Sequence, residues 1–306
     1  MATLLTTAAQ PATYQHAADL KVLRPKLEAL VTEITASALS VEAIRQSLSA
    51  SLEQAASVLR SVSVHEGRLL ERGIDLLAAC NPNLVVLTEN IRLALTPAAM
   101  QLVENNEPGL YRGLTLDADT GGRKSYTPDH LIINRATGIA HMVDVKRSLT
   151  SYEASRIADL KCRMLAAALV VPDHVYKGHH RLSVKEVRVV ILNAQAGGRV
   201  DIKGGIWPLS HLDHLLEVNG AGQALVSLRQ IFLERVDANW RAARSPIHSL
   251  GVDSSDLNTA FGDPSDDTGN EDGSVTRLTE EGHQEAPDHL PPVIVGFAQV
   301  PAVGPH

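Results

Sequence analysis

The chain has 306 residues, a formal charge of -7 and two cysteines, Cys80 and Cys162. Two isolated cysteines exclude a disulfide framework and argue against a cysteine zinc site, and no run of 18 apolar residues offers a membrane-spanning helix. With no basic stretch resembling a secretory signal at the start, the expectation is a cytoplasmic protein with one core domain of about 150–200 residues plus appendages.

The charge is unevenly spread. Residues 251–306 hold 11 acidic side chains and one basic one, Arg277, a net of -10 that leaves residues 1–250 at +3. A mildly basic body is compatible with phosphate contacts without requiring them, so any argument for nucleic acid has to come from a site.

In chain order, residues 17–61 place Leu23, Leu27, Leu30, Val31 and Ile34 at helical spacing without a glycine, which predicts two helices, the second capped by Ser40 with Glu42 in its first turn. They read as an extension, residues 1–64, either an accessory packed on the core or a surface able to serve a partner protein or a homodimer. Residues 65–80 form a further helix with Leu69, Leu70, Ile74 and Leu77 on one face, ended by Asn81-Pro82-Asn83. A short strand over 84–88, a helix over 97–105, a strand over 114–118 and a turn at 119–122 follow. Beyond a hairpin at 129–146 come a helix over 151–170 and a valine-rich strand over 184–192. Residues 196–244 read as a mostly helical accessory from Trp207 to Trp240. Residues 245–306 read as a disordered acidic tail ending in an apolar Pro291-Pro292-Val293-Ile294-Val295 segment.

The hairpin carries the chemistry. With period two, Asp129, Leu131 and Ile133 share one face of its first strand, while Met142, Asp144 and Lys146 share one face of the second. Arg135-Ala136-Thr137-Gly138 supplies the reversal. Pairing then brings Asp129 toward Asp144 and Lys146, and two carboxylates at the end of an apolar sheet repel each other unless a cation lies between them. Hard oxygen ligands and a phosphate substrate favour Mg²⁺, with Mn²⁺ able to stand in. Such a metal would polarise a scissile phosphate, and Lys146 would orient the attacking water or stabilise the developing charge. Glu71 lies beside the apolar face of its helix and could lean over the sheet edge as a further acid.

Pro128-Asp129 followed by Asp144-Val145-Lys146, with 14 residues between the acids, resembles the PD-(D/E)XK nuclease superfamily. Leu70-Glu71-Arg72, Asn81-Pro82-Asn83-Leu84-Val85 and Tyr126-Thr127-Pro128-Asp129 are most similar to TnsA-type transposon endonuclease domains. The resemblance covers residues 65–195 and implies an α/β, restriction-endonuclease-like core in the order α-β-β-β-α-β, a mixed central sheet flanked by helices. It implies Glu71, Asp129, Asp144 and Lys146 as the catalytic set, the carbonyl of Val145 as an additional metal ligand, and DNA hydrolysis leaving a 5′-phosphate. The segment between Glu89 and Tyr126 is longer than that family's usual connection. The alternative function is a catalytically inactive nuclease-fold protein that binds DNA or serves an assembly.

DNA-backbone candidates are Arg123 and Lys124 before the first strand, Arg147 after the lysine, and Lys161, with Arg156 and Arg163, on the following helix. A segment read as a loop, His174 to Arg181, adds Lys177, His179, His180 and Arg181.

Overall fold

A computed structural model describes residues 14–88, 91–106, 111–114, 116–118, 124–179, 181–245 and 293–301. The described residues form a mixed α/β fold in which a mixed sheet lies between helical layers. None of the helices in these residues is long and apolar enough to cross a membrane.

After a two-residue strand β1 (His16–Ala17), helix α1 (Leu20–Thr35) starts at Asp19, whose carboxylate accepts the Lys21 N–H. Helix α2 (Val41–Ala50) starts at Ser40, whose hydroxyl accepts from Ala43 N as its sequence position predicts. Helix α3 (Leu52–Ala78) is one continuous helix of 27 residues, about 40 Å long, where the sequence reading divided it near residue 64. No proline interrupts it, so nothing in the backbone chemistry ends it before Asn81-Pro82.

Strands β2 (Leu84–Leu87) and β3 (Leu93–Ala94) precede helix α4 (Pro97–Asn105), which is capped by the Thr96 hydroxyl. The strand expected at 114–118 lies instead at β4 (Tyr111–Arg112). Leu116 N donates to Leu169 O and Ala118 N to the Asp173 carboxylate, so helix ends rather than a neighbouring strand satisfy that backbone. The expected turn at 119–122 lies outside the described residues.

Strand β5 (Ser125–Tyr126) pairs with β3 as a separate two-stranded ribbon. Strands β6 (His130–Asn134) and β7 (Ile139–Lys146) form the central hairpin. Asn134 Oδ1 accepts from Ala136 N and Thr137 N, and Gly138 closes the turn at φ 72°, a conformation costly for a residue with a Cβ. Helix α5 (Ala154–Ala168) crosses back over the sheet, and helix α6 (Val171–Gly178) follows it. Strand β8 (Glu186–Asn193) then runs parallel to β7, from Ile139 opposite Glu186 to Lys146 opposite Asn193.

The segment from Trp207 to Trp240 is mostly helical, as expected, after a short strand. Strand β9 (Ile206–Pro208), a 3₁₀ turn (Leu209–His211), helix α7 (Leu212–Leu216) and strand β10 (Val218–Asn219) precede the long helix α8 (Ala221–Arg244). The last strand, β11 (Ile294–Phe297), corrects the reading of the whole C-terminal region as an unstructured tail. It runs parallel to the first half of β8 and antiparallel to β4, while β9 covers the second half of the same β8 edge. The segment from 246 to 292 lies outside the described residues.

The sheet order is β2-β6-β7-β8-β11-β4. Its central strands bury both faces, which explains their continuous apolar runs. Ile132, Val143, Val190 and Leu192 face a layer built from α1, α3, α7 and α8, all in one apolar core. Leu131, Ile133, Met142, Val189 and Ile191 face α4, α5 and α6 in a second core. The N-terminal helices and α8 therefore belong to the packed body that contains the sheet, a compact unit reaching Arg244 and resuming at Pro291.

Candidate active site

Hairpin register brings the two aspartates together. His130 lies opposite Val143 and Leu131 opposite Met142, so the next position along the ladder sets Asp129 opposite Asp144. Directly opposed residues share a sheet face with Cβ atoms roughly 5 Å apart. Asp129 stands just before β6, and its Oδ2 accepts from Val145 N at 2.6 Å, extending the ladder with a side chain where the strand's own backbone has ended. Ala194 N donates to Lys146 O, so Lys146 directs its backbone groups toward β8. Successive residues alternate this direction, and the Val145 carbonyl therefore faces the β6 side, where Asp129 lies.

Asp144 is 5% exposed. The Tyr126 hydroxyl donates to its Oδ2 at 2.6 Å, and the Lys146 ammonium forms an ion pair with its Oδ1. Glu71 approaches from α3. That helix is fixed by His130, whose buried Nε2 stands 3.1 Å from the Glu71 carbonyl and 3.2 Å from Asp75 Oδ1. A carbonyl can only accept, so the bond to Glu71 O requires the proton on Nε2. Arg72, next to Glu71, turns away to form a two-pronged pair with Glu33 at 2.6 and 2.9 Å.

The electrostatics follow from crowding three acids around one ammonium. Burial, and then the Asp144 charge, push the Asp129 carboxyl above its ordinary pKa; the Val145 N–H and Lys146 oppose this without reversing it. Burial raises Glu71 as well, with Asp129 as the next cause. Burial would lower the Lys146 ammonium, but Asp144, through its charge and contact, and Asp129 together outweigh it and leave the pKa raised. Burial and the Asp144 charge drive the Tyr126 phenol far up, so it stays protonated as a donor.

Among the described residues no group of three His, Cys, Asp or Glu side chains is drawn close enough to hold a metal ion. The donor set nonetheless fits one in kind. Carboxylate and carbonyl oxygens are hard ligands suited to Mg²⁺ or Mn²⁺, and Glu71, Asp129 and Asp144 exceed the single charge of Lys146 by two.

The basic candidates separate into two sets. Lys124 is exposed at the foot of the ribbon that carries Tyr126, and Arg147 is exposed at the end of β7, 3.7 Å from Glu66 Oε2. On α5 it is Arg163 whose positive field reaches Tyr126. Lys161 is instead engaged with Asp201 at 3.3 Å and with the Phe297 ring at 5.4 Å. The expected loop at 174–181 is mostly helix α6, where Lys177 pairs with Asp117 and Asp173. Since α5 returns the chain to the start of β8, where Lys185 N bonds Gly138 O at the hairpin turn, Lys177, His179 and Arg181 lie toward the sheet end opposite the carboxylates. Arg123 and His180 lie outside the described residues.

Sequence reasoning assigned no role to Tyr126 or His130. Tyr126 had a visible signal, standing three residues before Asp129 in Tyr-Thr-Pro-Asp. Also unforeseen is the pocket beside the lysine, about 520 Å³, lined by Lys146, Arg147, Ser148, Thr150, Ser151 and Tyr152. Behind it the Ser148 and Thr150 hydroxyls both donate to Gln195 Oε1 at 2.6 Å, tying the loop after β7 to the loop after β8. Comparison of the chain with protein-family models, curated proteins and solved structures finds no match to any of the three.

Proposed function

We propose that the chain is a divalent-metal-dependent DNA endonuclease of the PD-(D/E)XK kind that its motif resembles. The observation that carries this reading is the end of the β6–β7 ladder, where Asp129 faces Asp144, the Val145 carbonyl faces the same side, and Lys146 contacts Asp144. The element order supports it. Helix α3, the antiparallel strands β2, β6 and β7, helix α5 and the parallel strand β8 occur in the order the resemblance implies, with β3, α4, β4 and β5 inserted between β2 and β6 and α6 before β8.

Asp129, Asp144, Glu71 and the Val145 carbonyl would hold the ion, which when bound supplies Lewis acidity toward a phosphate oxygen and lowers the pKa of a water. Lys146, whose pKa the Asp144 and Asp129 charges raise against burial in the metal-free site, would stabilise negative charge accumulating on the phosphoryl oxygens. Arg147 lines the pocket next to Lys146 and offers donors to the strand backbone, while Ser148 and Thr150, whose hydroxyl protons go to Gln195, shape its wall. Lys124 and Arg163 add positive potential on the Tyr126 side.

The test is nicking of supercoiled plasmid with Mg²⁺ or Mn²⁺. Lys146→Ala and Asp129→Asn should each lower the rate by at least roughly 100-fold, the scale of losing a transition-state contact of about 3 kcal/mol. Wild-type protein that binds DNA but neither cleaves it nor binds Mn²⁺ would favour an inactive DNA-binding or assembly protein instead.

A further inference from the structure

We infer that Tyr126 is a positioning residue for the metal, acting through Asp144; this rests on the nuclease reading above. A carboxylate in a metal site has two oxygens and a rotatable bond, and its usefulness depends on which oxygen it presents. In this chain each aspartate has its Oδ2 committed to a protein hydrogen-bond donor, and Asp144 Oδ1 is also paired with the Lys146 ammonium. Asp129 Oδ2 is taken by Val145 N, and Asp144 Oδ2 by the Tyr126 hydroxyl, each at 2.6 Å. Oδ1, the oxygen that Lys146 also contacts, is thereby the one Asp144 would present to a cation, shared with the ammonium.

The phenol is suited to this and to little else. Tyr126 is 7% exposed with its ring in the apolar core shared by Leu131 and Met142, so water does not compete for the hydroxyl. Its origin outside the main sheet is also informative. The β3–β5 ribbon, with Leu93 opposite Tyr126, brings a donor to a carboxylate that β6 and β8 leave without one at Oδ2. Outer partners that orient metal ligands are commonly worth 10- to 100-fold in affinity.

Tyr126→Phe removes one atom and keeps the ring in place. Titration of metal-free protein with Mn²⁺, followed by calorimetry or electron paramagnetic resonance, should give at least roughly 10-fold weaker binding for the variant. Its melting temperature without metal should stay within a few degrees of wild type. Nicking by the variant should recover when Mn²⁺ is raised, since the hydroxyl touches neither DNA nor the reacting atoms. Asp144→Asn is the companion variant. If wild type and Tyr126→Phe bind Mn²⁺ equally while Asp144→Asn does not, the role assigned to Tyr126 is wrong and the nuclease reading stands. If wild type binds no Mn²⁺, or Asp144→Asn binds as well as wild type, the nuclease reading fails and this inference with it.

Discussion

Arg229→Met should be among the most damaging single changes outside the carboxylate site. Glu66 on α3 has a side chain only 3% exposed, and its Oε1 accepts from Arg229 Nε on α8 at 2.6 Å. Arg229 also donates from Nη1 to Ala194 O at 2.8 Å, just beyond β8. Methionine replaces the packing of the stem but leaves a buried carboxylate without its main partner, a loss of about 3–5 kcal/mol when nothing compensates. Arg147, 3.7 Å from the other Glu66 oxygen and half exposed, can swing closer and recover up to ~1 kcal/mol. The net expectation is roughly 2–4 kcal/mol, which for a body of this size lowers Tm by about 5–15 °C. Urea or thermal denaturation monitored by circular dichroism measures it. Adding Glu66→Gln to Arg229→Met should restore more than half of the loss, because the orphaned charge disappears. A loss below about 1 kcal/mol for Arg229→Met, or a double variant less stable than the single one, would refute the view that Glu66 depends on Arg229.

Asp129→Asn should stabilise the protein at neutral pH while removing the proposed nicking activity. The folded-state carboxyl titrates above its unfolded value, so folding stability falls as pH rises through the folded pKa, and the penalty vanishes below the unfolded value near about 3.9. Asparagine keeps an acceptor for Val145 N–H. A gain on the order of 1 kcal/mol, ~2–4 °C in Tm, should appear at pH 7.5 and shrink toward pH 4.5; a variant less stable than wild type at pH 7.5 contradicts the argument. Ending the chain at Leu290 removes β11 from the interior of the sheet. Val293 and Val295 are 4% and 0% exposed, together about 3–6 kcal/mol of burial, and β8 and β4 lose their pairing. At about 2–4 °C per kcal/mol the truncated chain should melt roughly 6–24 °C lower and bind more anilinonaphthalene sulfonate; a melting point within 2 °C of the full chain would refute the assignment.

The β6–β7 hairpin was legible because everything that defines it is local: alternating apolar residues, a four-residue reversal with Gly138, and an asparagine that bonds its own turn. Strand β11 was not. Its Val-Ile-Val-Gly-Phe run has strand character, but its partner β8 lies about a hundred residues earlier, and the acidic stretch before it outweighed the short apolar run. Helix α6 is hidden in the sequence by its polar face, where His174, Tyr176 and Lys177 cluster and His179 follows at the C-cap. Val171, Pro172 and Val175, all buried, carry the helical spacing and the proline of a first turn. The two aspartates could be paired by counting along strands. Tyr126 could not, since its ribbon partner sits 33 residues upstream in a connection that the motif does not constrain.

Helix α3 joins these threads. Glu66 and Glu71 are five residues apart, about 140° around the axis, so one side of the helix is clamped to α8 while the other presents Glu71 to the end of the sheet. Arg72 is tied to Glu33 of α1, and the Glu71 carbonyl to His130, the residue next to Asp129. A side chain on a helix is only as well placed as the helix, and here three polar contacts to three different elements fix its rotation and height. The N-terminal helices and α8 therefore form part of the frame that sets where Glu71 stands relative to Asp129. That frame is needed because the site is electrostatically strained: Asp129 and Glu71 are both pushed toward protonation by burial, and packing elsewhere must offset the cost of keeping them together.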